Sequence, residues 1–147
     1  EVRRGGGATA HNQGQLVCYP ILSLKQLNLG ISEYVHRLQL TAQKMLEKLN
    51  LKTRIRKDFP GLWAKERKIA SVGVRVSKLI SYHGIAVNIN NDLNIFNHFV
   101  PCGLKNVQMT SLQKETAQNI TITQAKQILT RLLISSFSIP DHFNYEQ

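Results

Sequence analysis

The chain has 147 residues and a mass of 16.7 kDa, the size of one compact domain with its own core. Hydrophobic residues make up 42% and charged residues 19%, which excludes a predominantly disordered chain, and no apolar run reaches the roughly 18 residues of a membrane span. The 19 Lys and Arg against 9 Asp and Glu give a net charge of +10. This surplus predicts an anionic partner, which is a nucleic acid, a membrane surface or an acidic protein.

Cysteine and histidine usage argues against a disulfide scaffold and against a structural metal. The two cysteines, Cys18 and Cys102, indicate a reducing compartment. The five histidines show no zinc-ligand spacing with each other or with the cysteines. They are His11, His36, His83, His98 and His142. The chain begins with Glu1 rather than methionine, so we expect a segment upstream of it.

The first 24 residues predict a loop followed by a short strand. Three consecutive glycines at 5–7 favour irregular backbone, so residues 1–14 are interpreted as loop. Residues 15–24 are apolar and β-prone, but Pro20 lacks a backbone donor and restricts this strand to a sheet edge or a bulge.

Two segments predict amphipathic helices, near 32–49 and 122–136. In both, apolar residues recur at the three, four and seven spacing of one helical face. Ser32 is the predicted N-cap of the first helix and Thr121 that of the second.

The middle of the chain predicts an antiparallel hairpin. After a turn at Pro60-Gly61, apolar and polar residues alternate over 68–77 and again over 82–90. Strands in the middle with helices before and after indicate an α+β domain, in which helices cover a mostly antiparallel sheet.

Lys68 and the two cysteines are the first candidates for chemistry. In the predicted strand, Lys68 alternates in phase with Ala70 and Val72, so its side chain is expected on the apolar face, where burial of an ammonium costs free energy. The alternative is that the strand begins after Lys68 and the side chain reaches water. Cys102 lies between proline and glycine, where a thiol in a turn is either reachable or incidental. Cys18 lies in an apolar strand and is interpreted as a small buried hydrophobe.

Three other segments allow both a functional and a purely structural interpretation. Residues 3–11 offer backbone N–H groups and two arginines to an anion, a carbonyl or an extended chain, but match no P-loop or dinucleotide fingerprint. His83 is either a site residue or a hydrogen-bonded structural histidine. A basic segment is either a solvated face or a docking surface for an acidic protein, since it lacks the interleaved aromatics that nucleic acid favours. It contains Lys48, Lys52, Arg54, Arg56 and Lys57.

Several motifs follow one another along the chain, and they are Arg4-Gly5-Gly6-Gly7-Ala8-Thr9, His11, Gly14-Gln15-Leu16-Val17, Tyr19-Pro20, Lys68-Ile69-Ala70-Ser71-Val72-Gly73-Val74-Arg75, Tyr82-His83-Gly84-Ile85-Ala86-Val87-Asn88 and Pro101-Cys102-Gly103. Taken together, they resemble one family, the octanoyltransferases of lipoate biosynthesis, also called the lipoate-protein ligase B family. The resemblance covers essentially the whole chain. It implies the fold of biotin protein ligases and lipoate ligases, and one catalytic domain over residues 1–147 that lacks its N-terminal portion.

The resemblance also implies an activity and its residues. Members move an octanoyl group from octanoyl-acyl carrier protein to a lysine of lipoyl domains, in 2-oxoacid dehydrogenases and the glycine cleavage H protein. The family's nucleophile matches Cys102 and its catalytic lysine matches Lys68. Substrate-binding stretches match Arg4, Gly5, Gly6, Gly7, Ala8, Thr9, Ala10, His11, Ser71, Val72, Gly73, Gly84, Ile85 and Ala86. Ser71 and backbone N–H groups near Gly73 and Cys102 are candidates for holding the oxyanion, and the apolar faces around Val72 and Ile85 for lining an acyl channel.

The implied protein needs no cofactor or metal, binds neither nucleic acid nor membrane, and is expected in the cytoplasm. Residues 10–15 read Ala-His-Asn-Gln-Gly-Gln where the family usually has Tyr-His-Gly-Pro-Gly-Gln, so acyl preference or rate is expected to differ. Two alternatives remain: an ATP-dependent lipoate or biotin ligase, and a truncated inactive remnant that only binds lipoyl domains.

Overall fold

A five-stranded sheet with helices packed on one face forms the part of the chain that the computed structural model describes, residues 10–57, 59–98 and 107–138. The elements are β1 (Gln15–Cys18), α1 (Ile31–Lys48), β2 (Arg54–Ile55), β3 (Gly61–Ala64), β4 (Arg67–Ser77), β5 (Ile80–Asn88), a 3₁₀ helix (Asn94–His98), α2 (Leu112–Thr116) and α3 (Ile122–Phe137). The strand order is β1-β5-β4-β3-β2, and every pair of neighbours is antiparallel. The predicted α+β class is confirmed.

The predicted hairpin is formed by β4 and β5, the longest strands of the sheet. They are joined by Lys78 and Leu79, whose φ values of 50° and 59° are those of a tight two-residue hairpin turn. The predicted edge strand is also present, because β1 stands first in the strand order, but it ends at Cys18, before Pro20. Strand β2 lies within the basic segment, and neither β2 nor β3 shows a periodic pattern, since two and four residues are too few for one.

Both long helices are confirmed to within one residue at each end, but one predicted cap is wrong. Thr121 caps α3 in a capping box with Gln124. The N-cap of α1 is Gly30, which makes no side-chain cap, and Ser32 lies inside the first turn. None of the helices in the three described stretches is long and apolar enough to cross a membrane.

The hydrophobic core lies between the sheet and helices α1 and α3. It contains Leu38, Met45 and Leu46 from α1, Leu129 and Phe137 from α3, and Leu62, Ala70, Ile85 and Val87 from the sheet. Removal of this apolar surface from water is the main force holding the helices on the sheet. The opposite face of the sheet is therefore the one on which a site can form.

Candidate active site

A β-bulge between β3 and β4 decides which way Lys68 faces. Leu62 lies opposite Ala70, whereas the next residue of β3, Trp63, lies opposite Lys68. Ile69 is thus an extra residue of β4 between the two pairs. Because consecutive residues of β3 face opposite sides, Lys68 shares the open face with Trp63, and Ala70 faces the core. The prediction that Lys68 follows the parity of Ala70 is wrong for this reason.

Lys68 is nevertheless buried, with 1% of its surface exposed, so the alternative of a solvated side chain is excluded. Its ammonium lies 5.7 Å from the centroid of the Trp63 ring. Its alkyl stem crosses Gly61, where an added Cβ would lie 2.8 Å from Cε of Lys68. The position of the Lys68 side chain is therefore set by the β-bulge, by the Trp63 ring and by the lack of a side chain at Gly61.

A segment that is distant in sequence runs parallel to β4 at Lys68. The backbone N–H of Lys68 donates to the carbonyl of Gln108, and the N–H of Thr110 donates to the carbonyl of Lys68, both at 2.9 Å. This segment is the continuation of the chain after Cys102. Cys102 itself lies outside the described residues. The segment that follows the predicted nucleophile Cys102 is thus hydrogen-bonded to the backbone of the predicted catalytic residue Lys68.

Asn88 ties this segment to the sheet. Its side chain is 1% exposed, and its Nδ2 donates to the carbonyl of Thr110 at 2.9 Å. Its Oδ1 accepts from Nε2 of Gln15 at 2.8 Å and from Nδ2 of Asn91 at 3.2 Å. The sequence prediction did not single out Asn88 as a site residue. The available signal was a polar residue that interrupts an apolar run at the end of a strand.

The open face continues from Lys68 along β4 and β5 over small residues. Ser71 lies opposite Ala86, and Gly73 opposite Gly84, in the register of the hairpin. Their alternation places all four on the face that carries Lys68. Ser71, Gly73 and Ala86 carry no large side chain, whereas the Cys18 carbonyl and Pro20 lie over Gly84, where an added Cβ would be 2.9 Å from Cδ of Pro20. The small residues thus form a short floor between Lys68 and Pro20.

Val72 and Ile85, which the sequence also proposed as substrate contacts, form the intervening pair. Both pack with the helix-side core, and Ile85 is 1% exposed. Their side chains therefore lie on the face away from Lys68, and only their backbone adjoins the floor. The proposed lining of an acyl channel by these two apolar side chains does not fit this placement.

The described part of the predicted glycine-rich stretch lies beside β1. Nδ1 of His11 is 2.6 Å from Oε1 of Gln15, and Nε2 of His11 is 3.1 Å from the hydroxyl of Tyr19. Because an amide oxygen only accepts, Nδ1 of His11 is the donor to Gln15. His83, with a φ of 59°, packs its ring edge-on against Tyr19 at 5.5 Å. The residues of this stretch that lie outside the described part are Arg4, Gly5, Gly6, Gly7, Ala8 and Thr9.

Cys18 has the properties of a core cysteine, as its sequence context predicts. It is half-buried and packs against the helix-side core. Burial raises the pKa of its thiol from 9.0 to about 11, so it is protonated at neutral pH. Among the described residues, no three His, Cys, Asp or Glu side chains are grouped as a metal site.

The chain is similar to known proteins over most of its length. The family model described as the lipoyl protein ligase A/B catalytic domain matches residues 1–134. An octanoyltransferase of Desulfovibrio desulfuricans is 48% identical over 114 residues, covering 78% of this chain and 48% of its own length. A human mitochondrial octanoyl-[acyl-carrier-protein]:protein N-octanoyltransferase is 40% identical over 123 residues, covering 82% of this chain and 53% of its own length.

This chain thus spans about half the length of these two curated relatives. The biotin protein ligase of Aquifex aeolicus superposes with a TM-score of 0.67 at 18% identity, covering 85% of this chain and 53% of that one. This likeness confirms the predicted biotin and lipoate protein ligase-like fold. With a family model matched over most of its length, the chain belongs to the lipoyl protein ligase A/B catalytic domain family.

Proposed function

We propose that this chain is the catalytic domain of an octanoyltransferase that works through a cysteine thioester. It moves an octanoyl group from octanoyl-acyl carrier protein to a lysine of lipoyl domains, in 2-oxoacid dehydrogenases and the glycine cleavage H protein. The observation that carries the proposal is that the buried Lys68 is hydrogen-bonded through its backbone to the segment that follows Cys102. The names of the relatives support octanoyl transfer, and one of them names octanoyl-[acyl-carrier-protein] and a protein as its substrates.

In this proposal Lys68 keeps Cys102 ionised. A thiol with a pKa of about 8.5 is only a few per cent thiolate at neutral pH. An ammonium within a few ångströms favours the thiolate by coulombic attraction and lowers the pKa of the thiol by about 1–3 units. The six residues from Cys102 to Gln108 span at most about 22 Å, so the covalent chain permits the thiol to approach Lys68.

The reaction then has two balanced half-reactions. The Cys102 thiolate attacks the carbonyl carbon of the donor thioester, a new C–S bond forms, and the donor C–S bond breaks, so that the carrier thiol leaves with a proton. The amine of the target lysine next attacks the acyl-enzyme, a C–N bond forms, and the thiolate of Cys102 is released while the amine loses a proton. Lys68 relays these protons. Ser71 and backbone N–H groups near Gly73 hold the oxyanion.

The floor of small residues suits the acyl chain of this donor. Extended from Lys68 over Ser71 and Gly73, the floor is about 15 Å long at 3.3 Å per residue, which accommodates an octanoyl chain. Its lack of large side chains permits close packing of methylene groups against the backbone of β4 and β5. The substitutions Gly73→Leu and Ala86→Leu are therefore expected to exclude the acyl chain more strongly than they change the reactivity of the Cys102 thiol.

The test is to incubate the protein with octanoyl-acyl carrier protein and determine intact mass and modified peptides. We expect a gain of one octanoyl group on Cys102 that hydroxylamine removes. The matched control is Cys18→Ala, which remains acylated, whereas Cys102→Ala does not. Lys68→Met is expected to slow acylation about tenfold or more at pH 7 and to recover part of the rate as pH rises toward 8.5. Failure of the folded wild-type protein to form the acyl-enzyme refutes the proposal.

The same variants separate the alternatives. An ATP-dependent ligase activates the acid as an adenylate, so its activity requires ATP and survives Cys102→Ala. An inactive remnant binds lipoyl domains without acylation. The cytoplasmic location expected from the two cysteines is tested by fractionation of cells that express the protein.

A further inference from the structure

The basic segment of the sequence runs from the end of α1 through the edge strand β2 of the sheet. We call it the basic edge; it comprises Lys48, Lys52, Arg54, Arg56 and Lys57. Its strand, β2, stands last in the strand order. Arg54 lies opposite Trp63, whereas Ile55 lies opposite Leu62 and packs with the core. Alternation therefore places the arginine on the open face of the sheet, the face that also carries Lys68.

The basic edge is connected to Lys68 through one aromatic ring. The guanidinium of Arg56 lies 4.3 Å from the centroid of the Trp63 ring, and the ammonium of Lys68 lies 5.7 Å from the same centroid. Neighbouring strands are about 4.8 Å apart, so β2 and β4 are separated by about 10 Å. A molecule bound at this edge is thus next to the site proposed for acyl transfer.

The positive charge of the edge is only partly neutralised. Glu66 forms ion pairs with both Arg54 and Arg56, and the hydrogen bond from Arg56 lowers the pKa of its carboxyl group. Lys52 and Lys57 are exposed and form no ion pair with another described residue. With Glu47 and Asp58 counted beside Glu66, five cations still outnumber three carboxylates along this segment. Such an excess attracts acidic partners and accelerates their association.

We propose that the basic edge docks the acidic surface of the acyl carrier protein that donates the octanoyl group. The inference rests on the proposed function, which supplies the donor. Charge complementarity brings the carrier to the edge, and the short distance to Lys68 lets a thioester on a flexible arm reach the floor. Nucleic acid fits the edge less well, because the cations are not interleaved with stacking aromatic side chains.

The test is binding of fluorescently labelled octanoyl-acyl carrier protein, measured by anisotropy at about 50 mM and about 500 mM salt. The variant is Lys52→Glu with Lys57→Glu. The matched control is Lys126→Glu with Arg131→Glu, two exposed positions of α3 on the helix side of the sheet with the same change in net charge. We expect the edge variant to bind about tenfold more weakly at low salt and the control to stay within about twofold of wild type.

Several outcomes overturn the docking proposal. Equal weakening by both variants shows that only net charge matters, and no weakening by either shows that the basic edge does not bind the carrier. Weaker binding of lipoyl domains with unchanged carrier binding assigns the edge to the acceptor instead.

Acylation of Cys102 by octanoyl-N-acetylcysteamine, a neutral small thioester, tests the proposed function separately. It requires no docking, so both variants should react at the wild-type rate. A wild-type protein that binds the carrier through the edge but resists this reagent refutes the reaction and leaves the docking surface intact.

Discussion

Replacing Gly61 with alanine is expected to disturb the strand pairing that holds Lys68. Gly61 begins β3 with a φ of 132°, a backbone region that residues with a Cβ rarely adopt. An added Cβ would overlap the carbonyl oxygen of Ala70 and lie 2.8 Å from Cε of Lys68. The backbone N–H of Gly61 also donates to the buried Oε1 of Gln39 at 2.8 Å, so moving β3 away from β4 strains this hydrogen bond.

The cost follows from these contacts. Holding a residue with a Cβ in this region costs about 1–3 kcal/mol. The overlap with a backbone carbonyl cannot be relieved by a side-chain rotation, and overpacking of this kind costs about another 1–3 kcal/mol. We therefore expect Gly61→Ala to lower the free energy of unfolding by about 2–6 kcal/mol.

Urea unfolding followed by circular dichroism measures this difference. Gly30→Ala is the matched control, because an added Cβ at Gly30 meets nothing within 4 Å. The control should change the free energy of unfolding by less than about 1 kcal/mol. If both variants unfold at the same urea concentration, the packing of Lys68 over Gly61 does not restrict this position and the argument fails.

Three further predictions concern a hydrogen bond, a titration and a helix cap. Asn88→Asp keeps the acceptor but loses the donor to the carbonyl of Thr110, so urea unfolding should show a loss of about 1–3 kcal/mol at pH 7. Burial raises the pKa of the introduced carboxyl in the folded protein, so this loss should shrink as pH falls from 7 toward 4; an unchanged stability contradicts the assigned bond. Burial raises the pKa of the Cys18 thiol from 9.0 to about 11, so the contribution of this thiol to the free energy of unfolding is complete below pH 9.0 and is lost as pH rises through about 11. Between these pH values the stability of Cys18→Ala should therefore fall less steeply than that of the wild-type protein. Thr121→Ala should cost about 1 kcal/mol of unfolding free energy, whereas Ser32→Ala should cost less than half of that, and equal losses would contradict the assigned caps.

The sequence predicts the elements whose pattern is long and local. The helix α1 and the β4–β5 hairpin repeat their periods over 9 residues or more, and each was located to within a few residues. The box at Thr121 is likewise local, since its partner is three residues away. By contrast, Gly30 is the N-cap of α1 by its backbone conformation, without a side-chain hydrogen bond, so the sequence pattern does not favour it over Ser32.

The face of Lys68 could not be predicted because it depends on a bulge. An extra residue at Ile69 reverses the alternation only when β3 pairs alongside, and β3 is four residues long with all of them buried. The parallel bridge from Lys68 to Met109 joins segments that are far apart in sequence and has no local signature. The resemblance to the family identified Lys68 as a catalytic candidate, whereas the alternation of apolar residues did not decide whether its side chain is buried or solvated.

The placement of Lys68 follows from an exchange of strand partners. Beyond the pair of Ala70 and Val87, β5 no longer accompanies β4, and the segment 108–110 is hydrogen-bonded to β4 in its place. Asn88 follows Val87 at the end of β5, and its side chain donates a hydrogen bond to the carbonyl of Thr110, which joins β5 to the segment 108–110. Lys68 thus occupies a point where three segments meet and each is fixed to the next by buried hydrogen bonds. Because both backbone groups of Lys68 bond to the segment that continues from Cys102, the register at this point also sets how much chain is left to bring the thiol to the lysine.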